Sequence, residues 1–157
     1  MEQGIQLFSS TIIEAVAKNK RFLKNRPAYI FPFARIAARI KKAAAVREAL
    51  ARDEGLIVPP VLILSVTNDC NLACAGCYAC SQQRDRSAEL SMDDIRRVVG
   101  EAVALGVCIV MIAGGEPLLK PGILSLPHAF PDTLFVMFTN GLLLDSPAAQ
   151  AAARMRN

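Results

Sequence analysis

The stretch Val61-Leu62-Ile63-Leu64-Ser65-Val66-Thr67-Asn68-Asp69-Cys70-Asn71-Leu72-Ala73-Cys74-Ala75-Gly76-Cys77-Tyr78 decides how the chain is read. An apolar run of strand length opens into a loop with three cysteines, separated by three and then two residues. A near-continuous run of Val, Ile and Leu over residues 61–67 is what a strand buried on both faces of a parallel sheet presents. Three thiolates on one short loop are soft donors suited to a soft metal centre. A closed structural zinc site takes four ligands, and an ordinary 4Fe–4S cluster takes four cysteines. Three therefore leave one position for something that is not protein. Cys80 keeps two alternatives open: with Cys70, Cys74 and Cys77 it would close a tetrahedral zinc site or a plain electron-transfer cluster.

The 157 residues suffice for one ordinary domain and are short for two. The chain is 53% hydrophobic, with a mean hydropathy of +0.33, which argues against disorder over most of its length. No apolar run reaches the roughly 18–20 residues of a membrane span. The start Met1-Glu2-Gln3-Gly4 does not read as a secretory signal. Five cysteines, three of them within eight residues, point to metal or redox chemistry in a reducing compartment, so a cytoplasmic protein is expected. The net charge of +4 is uneven. Residues 1–58 carry eleven Lys/Arg against five Asp/Glu, and residues 59–157 carry seven against nine. The half with the cysteines is thus near neutral, and no nucleic acid is expected as its partner.

Residues 1–26 read as an amphipathic helix ended by Arg26-Pro27, because the residue before proline is pushed out of the helical region. Residues 29–33 read as an aromatic, proline-interrupted connector. A second helix is predicted over about 34–52, with Ile36, Ile40 and Ala44 on one face, Arg35, Arg39 and Lys42 on another, and Gly55 as its stop. This basic helix reads as a cap on the domain behind it; the second reading is peripheral contact with an anionic membrane surface or acidic partner. Pro59-Pro60 marks a boundary between a basic helical extension, residues 1–58, and an α/β domain, residues 59–157.

After the cysteine loop, residues 81–89 read as a solvent-facing polar stretch. Ser91 then caps a helix whose apolar face is Ile95, Val98, Val99, Ala102 and Val103, and which Gly106 ends. Residues 107–112 form a second strand, followed at once by Gly114-Gly115-Glu116-Pro117. A short helix is predicted near 121–128, a third strand over 133–138 closed by Thr139-Asn140-Gly141, and a last helix from Ser146-Pro147. Cys108 reads as a small core residue. Each unusual loop falls at the carboxyl end of a predicted strand, the edge at which α/β folds build active sites. Adjacent parallel strands would bring the three loops together.

With these motifs placed, residues 61–145 resemble the radical S-adenosylmethionine (SAM) superfamily. The likeness rests on Cys70, Cys74 and Cys77, on Tyr78 directly after them, on Gly-Gly-Glu-Pro at 114–117 and on Thr-Asn-Gly at 139–141. The resemblance implies an α/β fold, a partial (β/α) barrel, here preceded by the helical extension. It implies a 4Fe–4S cluster held by the three cysteines and SAM bound at the open iron. The cluster and SAM would carry the chemistry, with no catalytic side chain beyond the cluster ligands: reductive cleavage of SAM to a 5′-deoxyadenosyl radical, then hydrogen abstraction from a substrate. By the same resemblance Gly114 and Gly115 let backbone approach the methionine end of SAM, and Glu116 accepts from its ammonium. Pro117 stiffens the turn, Tyr78 lies near the adenine, and Asn140 is a further SAM contact. An electron donor such as flavodoxin or ferredoxin is implied as a partner. A core of this family has about six strand–helix units, whereas about three are read here. The expectation is therefore a truncated core, its N-terminal half, with a second chain as a candidate to complete the barrel.

Overall fold

A computed structural model describes residues 30–78, 89–145, 147 and 150–152. The helix expected over residues 1–26 and the position of Cys80 lie outside the described residues.

Helix α1 spans Ile30–Asp53. The expected connector over 29–33 is corrected, because the helix already begins at Ile30. Pro32 falls in its first turn, where backbone N–H groups have no intrahelical acceptor and a missing one costs little. The predicted stop holds, with the helix ending just before Gly55. Strand β1 is Val61–Ser65, helix α2 is Met92–Ala104, strand β2 is Ile109–Ala113 and strand β3 is Leu134–Met137. Ser91 caps α2 as predicted, its hydroxyl oxygen accepting from Asp94 N–H at 3.1 Å. Between β2 and β3 the single expected helix is three short pieces: 3-10 turns at Pro117–Leu119 and Ile123–Ser125, and one helical turn at Leu126–Ala129. Pro147 and residues 150–152 are helical, where the last helix was expected.

The strands form a parallel sheet in the order β1-β2-β3. Alternate residues point to opposite faces, and the register sorts them cleanly. Leu62 and Leu64, Val110 and Ile112, and Phe135 and Met137 join Ile95 and Val99 of α2 in one core. Val61, Ile109, Met111, Leu134 and Val136 join Ile36, Ile40 and Ala43 of α1 in a second core on the other face. The fold is therefore a helix–sheet–helix sandwich, consistent with part of a βα barrel.

Burial of β1 differs from the expectation. Ile63 is 68% exposed, although its run is apolar throughout. The cause is topological: β1 is an edge of the described sheet, and α1 covers the face at Val61 but leaves Ile63 open. Cys108 is buried beside α1, and burial pushes its thiol above the usual range, as suits a protonated core residue.

The basic face of α1 is partly turned inward. Arg39 donates to the carbonyl of Val103, Arg47 to that of Gly106, and Arg35 pairs with Asp132. Two of the three cations singled out in the sequence thus have partners on the domain behind α1. At Gly106, with φ of +98°, an added Cβ would lie 2.8 Å from the carbonyl oxygen of Ala43, so glycine is what lets α1 come this close. No helix among the described residues is long and apolar enough to cross a membrane.

Candidate functional site

The three motif loops meet at the carboxyl edge of the sheet, and backbone hydrogen bonds join the first two. Val66 N–H donates to the carbonyl of Ala113 at 3.0 Å, Gly115 N–H to that of Thr67 at 2.8 Å, and Glu116 N–H to that of Asp69 at 2.7 Å. The sheet pairing of β1 with β2 is thereby extended past the last paired residues, Ser65 and Ala113, into the loops. The approach is very close. A Cβ built on Gly114 would stand 2.5 Å from the oxygen of Thr67, and one built on Gly115 would stand 2.2 Å from that of Asp69. No side chain fits against backbone at such distances, so both glycines are required by the contact between loops.

Glu116 ties in the third loop. It is wholly buried, and its carboxylate serves three donors. Oε1 accepts from the hydroxyl of Thr139 at 2.8 Å and from Leu118 N–H at 3.0 Å, and Oε2 accepts from Asn140 N–H at 2.9 Å. A buried carboxylate is tolerable only when hydrogen-bonded in this way. Asn140 then reaches back to the first loop, its Nδ2 donating to Asn71 Oδ1 at 2.7 Å. Asn71 directly follows Cys70. A continuous chain of hydrogen bonds thus runs from Gly-Gly-Glu-Pro through Thr-Asn-Gly to the cysteine loop.

The base of that loop has one more anchor. Glu89 Oε1 accepts from Asn68 N–H at 2.6 Å and from the Thr67 hydroxyl at 3.0 Å, while Lys120 Nζ lies 3.5 Å from Oε2. The Asn68 N–H holds this carboxyl below the usual carboxylate range, with the Thr67 hydroxyl and Lys120 adding to the effect against the opposing influence of burial. Glu89 was expected to face solvent with the rest of 81–89; the side chain is instead only 17% exposed. Neither the Glu89 anchor nor the Asn71–Asn140 bond was foreseen from the sequence.

The cysteines sit on the outer part of the loop. Cys74 is exposed, Cys70 and Cys77 are half-buried, and none is in a disulfide. Cys77 N–H donates to the carbonyl of Cys74 at 3.2 Å, so the last two cysteines lie on one tight turn. Tyr78 is 54% exposed directly beyond them. Among the described residues, no group of three or more Cys, His, Asp or Glu side chains gathers around a point that could hold one metal ion. Three thiols on one strand-end loop form a donor set whose softness fits a soft metal centre.

A family model described as the Radical SAM superfamily matches residues 64–157. A GTP 3',8-cyclase of Synechococcus sp. (strain CC9902) is 39% identical over 95 residues, covering 57% of this chain and 27% of that protein. The GTP 3',8-cyclase of Geobacter sulfurreducens is 37% identical over 94 residues, covering 56% of this chain and 29% of the relative. An AdoMet-dependent heme synthase of Methanosarcina barkeri is 31% identical over 88 residues, covering 55% and 25% respectively. The chain therefore spans less than a third of the length of these relatives.

Proposed function

Because this chain belongs to the radical SAM superfamily, we propose that Cys70, Cys74 and Cys77 hold three irons of a 4Fe–4S cluster, with SAM at the fourth. Held by these three cysteines, the cluster would supply one-electron chemistry for reductive cleavage of SAM to a 5′-deoxyadenosyl radical and hydrogen abstraction from a substrate. The chain's own residues bind and orient. One observation carries the reading: Glu116 and its neighbours tie three strand-end loops into a single unit beside the three thiols.

Within that unit, Glu116 Oε1 accepts from two protein donors and Oε2 from one, and a ligand ammonium would pair with Oε2 only by opening the shell that now buries it. Gly114 and Gly115 let the second loop pack directly on Thr67 and Asp69, which would set their peptide groups at the methionine end of SAM, and Pro117 keeps the turn after Glu116 rigid. Tyr78 is the candidate for the adenine end. Asn140 retains one side-chain N–H beyond the bond to Asn71, which makes it a second polar contact. The electron comes from a small redox protein of the flavodoxin or ferredoxin class.

Anaerobic reconstitution with iron and sulfide tests the ligand set. The parent chain and its Cys80→Ala variant should both take up about four irons, whereas Cys70→Ala, Cys74→Ala and Cys77→Ala should each lose most of the iron and its visible absorption. Loss of iron in Cys80→Ala would establish a closed four-cysteine centre instead. Uptake of zinc in place of iron, with no colour, would establish a structural zinc site.

A further inference from the structure

We propose that Glu89 is a positioning residue for the cysteine loop: its carboxylate, backed by Lys120, pins the peptide units from which Cys70 departs. The inference deepens the cluster reading above and rests on it for its functional meaning. Its geometry stands independently. Glu89 lies 21 residues beyond Asn68, yet a single oxygen, Oε1, takes both the Asn68 N–H at 2.6 Å and the Thr67 hydroxyl at 3.0 Å. The Thr67 oxygen accepts in turn from Asp69 N–H at 3.1 Å. Both amides that immediately precede Cys70 are therefore oriented from one carboxylate, one directly and one through the hydroxyl.

The Thr67–Asn68 peptide is bonded on its other side to the second loop, its carbonyl accepting from Gly115 N–H, and the Asp69–Cys70 peptide is held by the same loop, its carbonyl accepting from Glu116 N–H. Residues 67–69 are thus held from two directions at the point where the chain leaves the sheet. Lys120 adds a link between the two holds. It follows the turn Pro117–Leu119, its own N–H closing that turn on the carbonyl of Pro117, and its ammonium faces Glu89 Oε2. The Lys120 and Glu89 side chains are 14% and 17% exposed, so the pair is shielded from the screening that weakens surface ion pairs. Bonds donated by backbone N–H to an ionised acceptor are among the stronger hydrogen bonds. Groups that orient metal ligands without touching the metal matter to the ligands' affinity.

The test compares the parent with Glu89→Ala, Glu89→Gln and Lys120→Met in two readouts. In the metal-free chain, amide exchange by NMR should accelerate at Asn68 and Asp69 in Glu89→Ala while the amides of α2 and β2 keep their protection. In the reconstituted chain, chelator-promoted iron release should be roughly tenfold faster or more in Glu89→Ala, the loss expected when support for a metal ligand is removed. Glu89→Gln keeps an acceptor for both donors and should recover most of each effect; Lys120→Met should fall between. Parent-like exchange at Asn68 and Asp69 in Glu89→Ala, or iron release at the parent rate, would overturn the proposal. So would a uniform loss of protection through α2 and β2 in both Glu89 variants, which would mark Glu89 as a general stability residue. If the parent itself takes up no iron, the cluster reading fails, and the exchange readout still decides whether Glu89 holds the loop.

Discussion

Gly115→Ala is expected to detach the cysteine loop from the sheet edge. The added methyl would sit 2.2 Å from the carbonyl oxygen of Asp69, 2.7 Å from its carbon and 2.9 Å from the oxygen of Asn68. All three obstacles are backbone, so no side chain can rotate away to relieve the clash. The two loops must separate, and separation breaks the bonds from Gly115 N–H to Thr67 and from Glu116 N–H to Asp69. Overpacking costs about 1–3 kcal/mol and each lost hydrogen bond about 1 kcal/mol, which together give roughly 3–5 kcal/mol. Urea unfolding of Gly115→Ala against the parent measures this directly. A midpoint equal to the parent's would show that the close approach does not exist in solution. The variant should also bind little iron, because Cys70 lies one residue beyond the displaced Asp69.

Glu116→Ala is the second large effect, and it acts through satisfaction rather than volume. Removing the carboxylate, which is itself wholly buried, takes the acceptor from the Thr139 hydroxyl, Leu118 N–H and Asn140 N–H. A hydrogen bond to a charged group contributes about 1.5–3 kcal/mol, and three are lost where water can replace only part of them, so a loss of roughly 3 kcal/mol or more is expected in urea unfolding. Glu116→Gln separates the ties. Its amide oxygen can still serve Thr139 and Leu118, but its NH2 group then faces the Asn140 N–H, donor against donor. Asn140 should come loose first, and with it the bond to Asn71. Amide exchange at Asn140 should therefore rise in Glu116→Gln even where global stability falls only modestly. Unchanged protection there would remove Glu116 from the chain of contacts that links the third loop to the cysteines.

The placement of the site was legible in the sequence because it depends on local signals. Apolar runs marked the three strands, and each motif followed one directly, so parallel pairing sufficed to bring Cys70, Gly114 and Thr139 to one edge. The cap at Ser91 and the stop before Gly55 were equally local. The internal duties of the motif residues were not legible. Gly115 and Glu116 were read only for what they would offer a ligand. Their contacts with Asp69, Thr139 and Asn140 depend on sheet register, which residue types do not encode. Glu89 was missed for the same reason: a carboxylate in a polar stretch gives no sign that its partners lie across a long loop. The exposure of Ile63 shows the converse limit, since an apolar run tells that a strand exists and leaves open how much of it neighbouring elements cover.

The most direct test of the three-loop site is EPR spectroscopy of the reduced, anaerobically reconstituted chain with and without SAM. The account predicts a 4Fe–4S signal whose g values shift when SAM is added, because SAM occupies the iron that Cys70, Cys74 and Cys77 leave free. A cluster signal that SAM leaves unchanged would contradict it.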